Sequence, residues 1–196
     1  QRHGVEIVRV PVLTRVSKGV IMPAIGFHAT RLALDCDVIS LHLPQLDASG
    51  IALRGRLFKR PVVLTYHSDL LLPPSPLNWL AGPVVNLSNH VAARFSDALV
   101  AYTDDFAQHS PFLSRYLSKV RVIPPPVEIP EPAPEAVNHF RERFHLNGTG
   151  PVLGLAGRLA TEKGVEYLLE ALPAIMQHYP GVRVLHAGPR EAIGEK

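Results

Sequence analysis

Short runs of β-branched and aliphatic residues alternate with longer amphipathic stretches along this chain, and few folds accommodate that order. Val5 to Val10, Asp37 to His42, Pro61 to Tyr66, Ala98 to Tyr102 and Lys119 to Ile123 read as strands. Between them, the segments around Pro23 to Asp35, Asp47 to Phe58, Asn78 to Phe95 and Asp104 to Leu117 read as helices. Strands joined by helical crossovers run parallel and need both faces covered, so the pattern predicts an α/β, Rossmann-like layered structure. Ligands of such open sheets gather beyond the carboxyl ends of the strands. The residues that follow each strand are therefore where chemistry is sought.

Most of those residues are bland. Leu43, Pro44 and Gln45 follow the second strand, Pro124 to Pro126 follow the fifth, and Thr103 reads as the N-cap of the helix beginning at Asp104. The third strand ends differently, in His67-Ser68-Asp69 ahead of the Pro-rich loop Leu72 to Leu77. From the residues alone His67 is either a polar group at the crevice floor or a half-buried imidazole bonded to backbone. Asp69 is either a ligand contact or a local turn cap.

Residues 152 to 164 concentrate charge in one corner. Val152 to Ala156 reads as a buried strand, and Val165, Leu168, Leu169, Leu172, Ile175 and Met176 mark the inward stripe of the helix that follows. Arg158 leaves the carboxyl end of the strand, and Lys163 is expected in the first helical turn behind Thr161, the expected N-cap. A helix N-terminus carries unpaired N–H groups and a partial positive charge, so a guanidinium and an ammonium there suit a multiply charged anion such as a diphosphate. Glu162 is accounted for by the helix dipole. Pro173 falls inside the helix and is expected to bend it. After Pro180-Gly181, Val182 to Ala187 reads as the next strand.

The string Gly157-Arg158-Leu159-Ala160-Thr161-Glu162-Lys163-Gly164 closely resembles the Gly-Arg-x-x-x-x-Lys-Gly signature of the family 4 (group 1) glycosyltransferases. The run Val62 to Asp69 is similar to that family's strand ending in Thr-Phe/Tyr-His. The resemblance implies the GT-B fold, two Rossmann-like domains with parallel sheets. The first would be truncated at its N-terminus and the second at its C-terminus. It implies residues 1–127 as an acceptor-side domain, 128–150 as linker and connecting helix, and 151–196 as the start of the nucleotide-sugar domain. It also implies a retaining transfer of sugar from a nucleoside diphosphate to a hydroxyl acceptor. Gly157, Arg158, Lys163 and Gly164 would bind the donor. Arg158 and Lys163 would stabilise the leaving diphosphate, and His67 would contact the transferred sugar, with Asp69 as a further sugar or acceptor contact. With two cations on the diphosphate, no metal or other cofactor is expected. The family's glycine-rich turn is expected before Gln1 and its Glu-rich donor signature after Lys196, so residues 1–196 alone are not expected to turn over. A non-catalytic two-lobed anion-binding module and a phosphorylase of similar fold are the alternatives.

The remaining features bound this reading. Six prolines between Val122 and Gly150 mark a hinge between lobes. Family members commonly carry Pro-Asn-Gly-Val where this chain has Pro124-Pro125-Pro126-Val127, a stiffer link. Ala136 to Leu146, with Phe140 and Phe144 four apart, reads as a short helix packing on the second lobe. The net charge of +3 is mild and the basic residues are scattered, so composition does not argue for nucleic acid. Cys36 has no partner for an internal disulfide, which fits a reducing cytoplasm. His28, His42, His90 and His109 show no paired ligand spacing, and a zinc site is rejected. Ala48 to Arg60 combines Ile51, Leu53, Leu57 and Phe58 with Arg54, Arg56, Lys59 and Arg60. That pattern fits either a packed crossover helix or a peripheral contact with the inner face of a membrane. Leu70 to Phe95, apolar around Trp79 and interrupted by Pro83, reads either as an acceptor entrance or as a kinked packing helix.

Overall fold

A computed structural model describes residues 4–16, 19–70, 72, 75–148, 150–160 and 163–189. The chain forms two compact units, residues 1–127 and 128–196.

In the first unit a small antiparallel hairpin, β1 (Thr14–Val16) with β2 (Gly19–Ile21), precedes helix α1 (Ile25–Asp35). Four parallel strands follow in simple spatial order: β3 (Ile39–Leu43), β4 (Val62–Tyr66), β5 (Ala98–Ala101) and β6 (Val120–Val122). The crossovers are α2 (Ala48–Leu57), α3 (Pro76–Phe95), and α4 (Asp104–His109) with a 3-10 helix (Leu113–Lys119). Side chains alternate between sheet faces along each strand. Leu41 and Leu43, Val62, Leu64 and Tyr66, and Leu99 and Ala101 therefore share one face, where they form a single core with Ala48 and Ala52 of α2 and Ala92 and Ala93 of α3. Each fully buried leucine in such a core contributes about 2 kcal/mol. The Tyr66 ring closes the core at the carboxyl edge, stacked on Phe112 with centroids 4.3 Å apart.

The helices meet the sheet through small residues. Ala29 and Ala33 of α1, Ala48, Ala52 and Gly55 of α2, and Ser88, Asn89, Ala92 and Ala93 of α3 are the buried ones. A Cβ on Gly55 would lie 2.3 Å from a Val62 methyl, so α2 lies against β4 at a distance only glycine permits. The inward polar residues of α3 fasten the loop after β3. Ser88 Oγ donates to the Leu46 carbonyl at 2.5 Å and accepts from the Ser49 N–H at 3.1 Å. The helix ends are held by long cations, a favourable placement for the helix dipole. Arg60 donates to the Ala33 and Leu34 carbonyls at the end of α1, and Lys119 to those of Ala93, Arg94 and Ser96 at the end of α3.

In the second unit α5 (Pro134–Arg143) buries none of its residues, although the Phe140 and Phe144 rings meet at 4.7 Å as their spacing predicts. Strands β7 (Val152–Ala156) and β8 (Arg183–Ala187) pair in parallel, with α6 (Val165–His178) as their crossover and Pro173 inside it.

Three expectations are corrected. Val5 to Val10 forms no strand, because Val5 makes only an isolated bridge and Ile7 and Val8 are exposed outside any strand, and the hairpin lies further along. The helix from Asp104 stops at His109, because Pro111 cannot donate to an α-helical ladder and Ser110 turns instead to cap Phe112 and Leu113. Helix α6 starts at Val165, with Gly164 left-handed (φ 63°) at its N-cap, so Lys163 precedes the helix and does not lie in its first turn. Thr161 and Glu162 lie outside the described residues. In the stretch Ala48 to Arg60, Arg54 donates to Thr30 and the Gly50 carbonyl and Arg60 caps α1, while Arg56 and Lys59 are exposed.

Candidate functional site

Two groups of residues stand at carboxyl ends of parallel strands, one in each unit. In the second unit, β7 ends at Ala156 and the chain turns at Gly157, whose φ of 147° is open to glycine and strained for any other residue. The turn is pinned on β8. Gly157 N–H donates to the Ala187 carbonyl at 2.9 Å, and His186 Nε2–H donates to the Gly157 carbonyl at 2.9 Å. That second bond fixes the His186 tautomer. Gly188 approaches so closely that a Cβ there would lie 1.9 Å from the Gly157 oxygen. Arg158, half-buried, follows directly, and exposed Lys163 comes next after residues 161 and 162, its N–H donated to the Ala160 carbonyl at 2.8 Å. The role of His186 escaped the sequence, because its bond to Gly157 spans 29 residues. The visible signal was a histidine at a strand end just before Gly188.

In the first unit strand parity assembles a second group. His42, His67 and Tyr102 belong to the sheet face opposite the helix layer, at or just past the ends of β3, β4 and β5. His67 Nε2 lies 2.8 Å from His42 Nδ1, and His67 Nδ1 lies 2.6 Å from Tyr102 Oη. The two imidazoles stack with centroids 5.1 Å apart. Burial first, and then repulsion from His42, push the His67 pKa below its ordinary value. His67 is therefore held neutral at pH 7. Each contact holds one proton, so the chain of three has two directions. Either Tyr102 donates to His67 and His67 to His42, leaving His42 Nε2–H outward, or His42 donates to His67 and His67 to Tyr102, leaving the phenol O–H outward. Both nitrogens of His67 are occupied in either case. A sugar hydroxyl reaches them only by displacing a neighbour, and the outward donor belongs to His42 or Tyr102.

His42, taken from sequence as an isolated histidine, is thus in hydrogen-bond contact with His67. Nothing in the spacing signals it, because the pair is brought together by strand register. Asp69 has a different environment. One carboxylate oxygen accepts from Tyr66 Oη at 3.1 Å and from Ser110 Oγ at 2.7 Å, both donors being buried. Burial and the adjacent carboxylate push the Tyr66 phenol far above its usual pKa, so it is a permanent donor. Asp69 fastens the loop after β4 to the end of α4, and only its second oxygen is left to meet a sugar hydroxyl. Thr103 caps α4 as its position predicts, accepting from Phe106 N–H at 3.1 Å. Among the described residues no group of three or more His, Cys, Asp or Glu side chains is placed to hold a metal ion. Nor is any helix among them long and apolar enough to cross a membrane.

An open parallel sheet in the first unit, and a second parallel strand-turn-helix unit whose turn carries Gly157-Arg158, define an α/β protein of the GT-B type. Residues 1–126 match the family described as the glycosyl transferase 4-like domain. The chain belongs to that family. It is 31% identical over 195 residues to a D-inositol 3-phosphate glycosyltransferase of Segniliparus rotundus, covering 93% of this chain and 40% of the relative. It is also 38% identical over 69 residues to a glycogen synthase of Alkalilimnicola ehrlichii, covering 32% of this chain and 14% of the relative. Among solved structures it superposes on Anabaena Alr3699/HepE in complex with UDP and glucose. The TM-score is 0.62 at 19% identity, over 90% of this chain and 45% of that one. That likeness establishes the fold. The chain therefore spans less than half the length of these relatives.

Proposed function

We propose that the protein containing this chain is a retaining glycosyltransferase that moves a sugar from a nucleoside diphosphate to a hydroxyl acceptor. What carries the reading is the pinned turn after β7, which places Arg158 and then Lys163 just beyond a strand end in a chain whose first 126 residues match the glycosyltransferase family. The names of the two sequence relatives support sugar transfer.

In this reaction the barrier is charge separation, since the diphosphate gains negative charge as the anomeric carbon becomes cationic. Arg158 and Lys163 meet that charge, and a well-placed donor of this kind contributes about 3 kcal/mol to the transition state. Gly157 and Gly164 let the backbone approach the phosphates without a Cβ between them. In the first unit, the outward donor of the His42, His67 and Tyr102 chain is available to a sugar hydroxyl, with His67 neutral at its centre. Two cations supply the neutralisation that a divalent metal gives elsewhere, so transfer is expected to proceed in EDTA.

Steady-state transfer by the full-length protein, followed as nucleoside diphosphate released in step with glycosylated product, tests the reading. Lys163→Ala should lower turnover at saturating donor by about 100-fold. Unchanged turnover removes Lys163 from the mechanism, and binding without any product favours an anion-binding module instead.

A further inference from the structure

Helices of a layered α/β protein normally turn their large apolar residues inward. In α2 and α3 the arrangement is reversed. Their fully buried residues are alanine, glycine, serine and asparagine, and, apart from Ile51 on the core and half-buried Val85 and Val91, the large apolar residues point to solvent. On α3, Trp79 is 82% exposed, Leu80 64% and Leu87 65%, with Val84 on the same stripe. On α2, which packs beside it, Leu57 is 72% exposed and Leu53 lies one turn earlier. Scattered exposed leucines need no explanation, but a run of them with a tryptophan along one helix, beside two more on its neighbour, does.

Charge selects what covers it. Neither α2 nor α3 contains an Asp or Glu, whereas Arg56, Lys59 and Arg94 are exposed on or beside them. Arg54 and Arg60 are turned to internal partners and add nothing to this face. The nearest acid at its basic end, Asp97, accepts the Val62 N–H at 2.7 Å. A second copy of the face would oppose cation to cation. Aliphatic side chains and a tryptophan, flanked by cations without acids, match the interface of a bilayer containing anionic lipid. We propose that the outward face of α2 and α3 seats this protein on an anionic lipid bilayer, with the α3 stripe entering the headgroup boundary and Arg56, Lys59 and Arg94 meeting lipid phosphates. The surface differs from the basic stretch 48–60 expected from sequence, since most of the apolar area comes from α3.

Sedimentation of the full-length protein with phosphatidylcholine vesicles, with and without phosphatidylglycerol, tests this without any turnover. Binding should rise with phosphatidylglycerol and fall with salt. Leu80→Ser with Leu87→Ser should lower the partition coefficient by about tenfold or more. If the double variant fails to fold, Leu87→Ser alone, checked by circular dichroism, gives the same direction. Arg56→Glu with Lys59→Glu should abolish the preference for phosphatidylglycerol. The difference in tryptophan emission between the wild type and Trp79→Phe should move to shorter wavelength with vesicles. Absence of vesicle binding, binding unchanged by the leucine substitutions, or a dimer in solution that those substitutions dissolve would each overturn the proposal.

Discussion

Replacing Gly188 by alanine should do serious harm to the second unit. The new Cβ would lie 1.9 Å from the Gly157 oxygen and 2.7 Å from its carbonyl carbon, whereas ordinary contact begins at 3.4 Å. The clash is with backbone, so the ends of β7 and β8 must part by about 1.5 Å to relieve it. Parting them breaks the Gly157 N–H bond to Ala187 and the His186 bond to Gly157, both 2.9 Å long. Two such bonds are worth about 1 kcal/mol each, and overpacking costs about 1–3 kcal/mol. A loss of about 3 kcal/mol corresponds to a fall in Tm of about 6–12 °C for a protein of this size or somewhat larger. Gly154→Ala in β7 is the control, because a Cβ there meets nothing within 4 Å. It should be neutral or stabilising by about 0.5–1 kcal/mol. Thermal and urea unfolding of the full-length variants measures both, and calorimetric titration with the nucleoside diphosphate measures the donor site. A Gly188→Ala protein that melts with the wild type would refute the packing argument. One that loses stability while keeping its nucleotide affinity would refute the placement of the donor at Arg158.

The proton chain and the loop latch give two further tests. His42→Phe removes the repulsion that helps hold the His67 pKa low, so that pKa rises. Activity that depends on neutral His67 is lost as pH falls through its pKa. The acid limb of kcat/KM should therefore move to higher pH in His42→Phe, and an unmoved limb would show that His67 protonation does not limit the reaction. Asp69→Ala strands the buried hydroxyls of Tyr66 and Ser110, at a cost of about 2–4 kcal/mol seen in urea unfolding. Asp69→Asn keeps an acceptor and should recover most of that stability, so activity lost in Asp69→Asn alone would mark a sugar contact.

What the sequence disclosed and what it withheld follow from the range of the interactions. The bounds of the strand at Val152 to Ala156 were legible to the residue, because a short apolar run ended by glycine is a local signal. The burial expected of it and of the stripe on α6 is not observed: the strand alternates exposed and half-buried residues, and α6 buries none. The Thr103 cap was also legible, because it acts within three residues. Val5 to Val10 carries as good a local signal and forms no strand, because strand formation also needs a partner at the right register. The contacts of His67 with His42 and Tyr102 span 25 and 35 residues, and they exist only because β3, β4 and β5 pair in the observed register.

Periodicity carries the same limit at the level of a whole helix. A stripe at spacings of three and four states that one face of a helix is apolar, but not that this face is the one against the sheet. For α2 and α3 the buried residues are the small ones, because Gly55 must clear Val62 and because Ser88 must reach the loop after β3. Those two contacts fix the rotation of each helix about its axis. Once α3 is turned so that Ser88 and Asn89 face inward, Leu80, Val84 and Leu87 have no direction left but outward. One constraint therefore produces both features of this unit, a tightly latched β3 loop on the inside and an apolar, cationic face on the outside. Replacing Ser88 by leucine would remove this polar latch and overpack the α2–α3 contact, and urea unfolding should show a loss of about 1–3 kcal/mol.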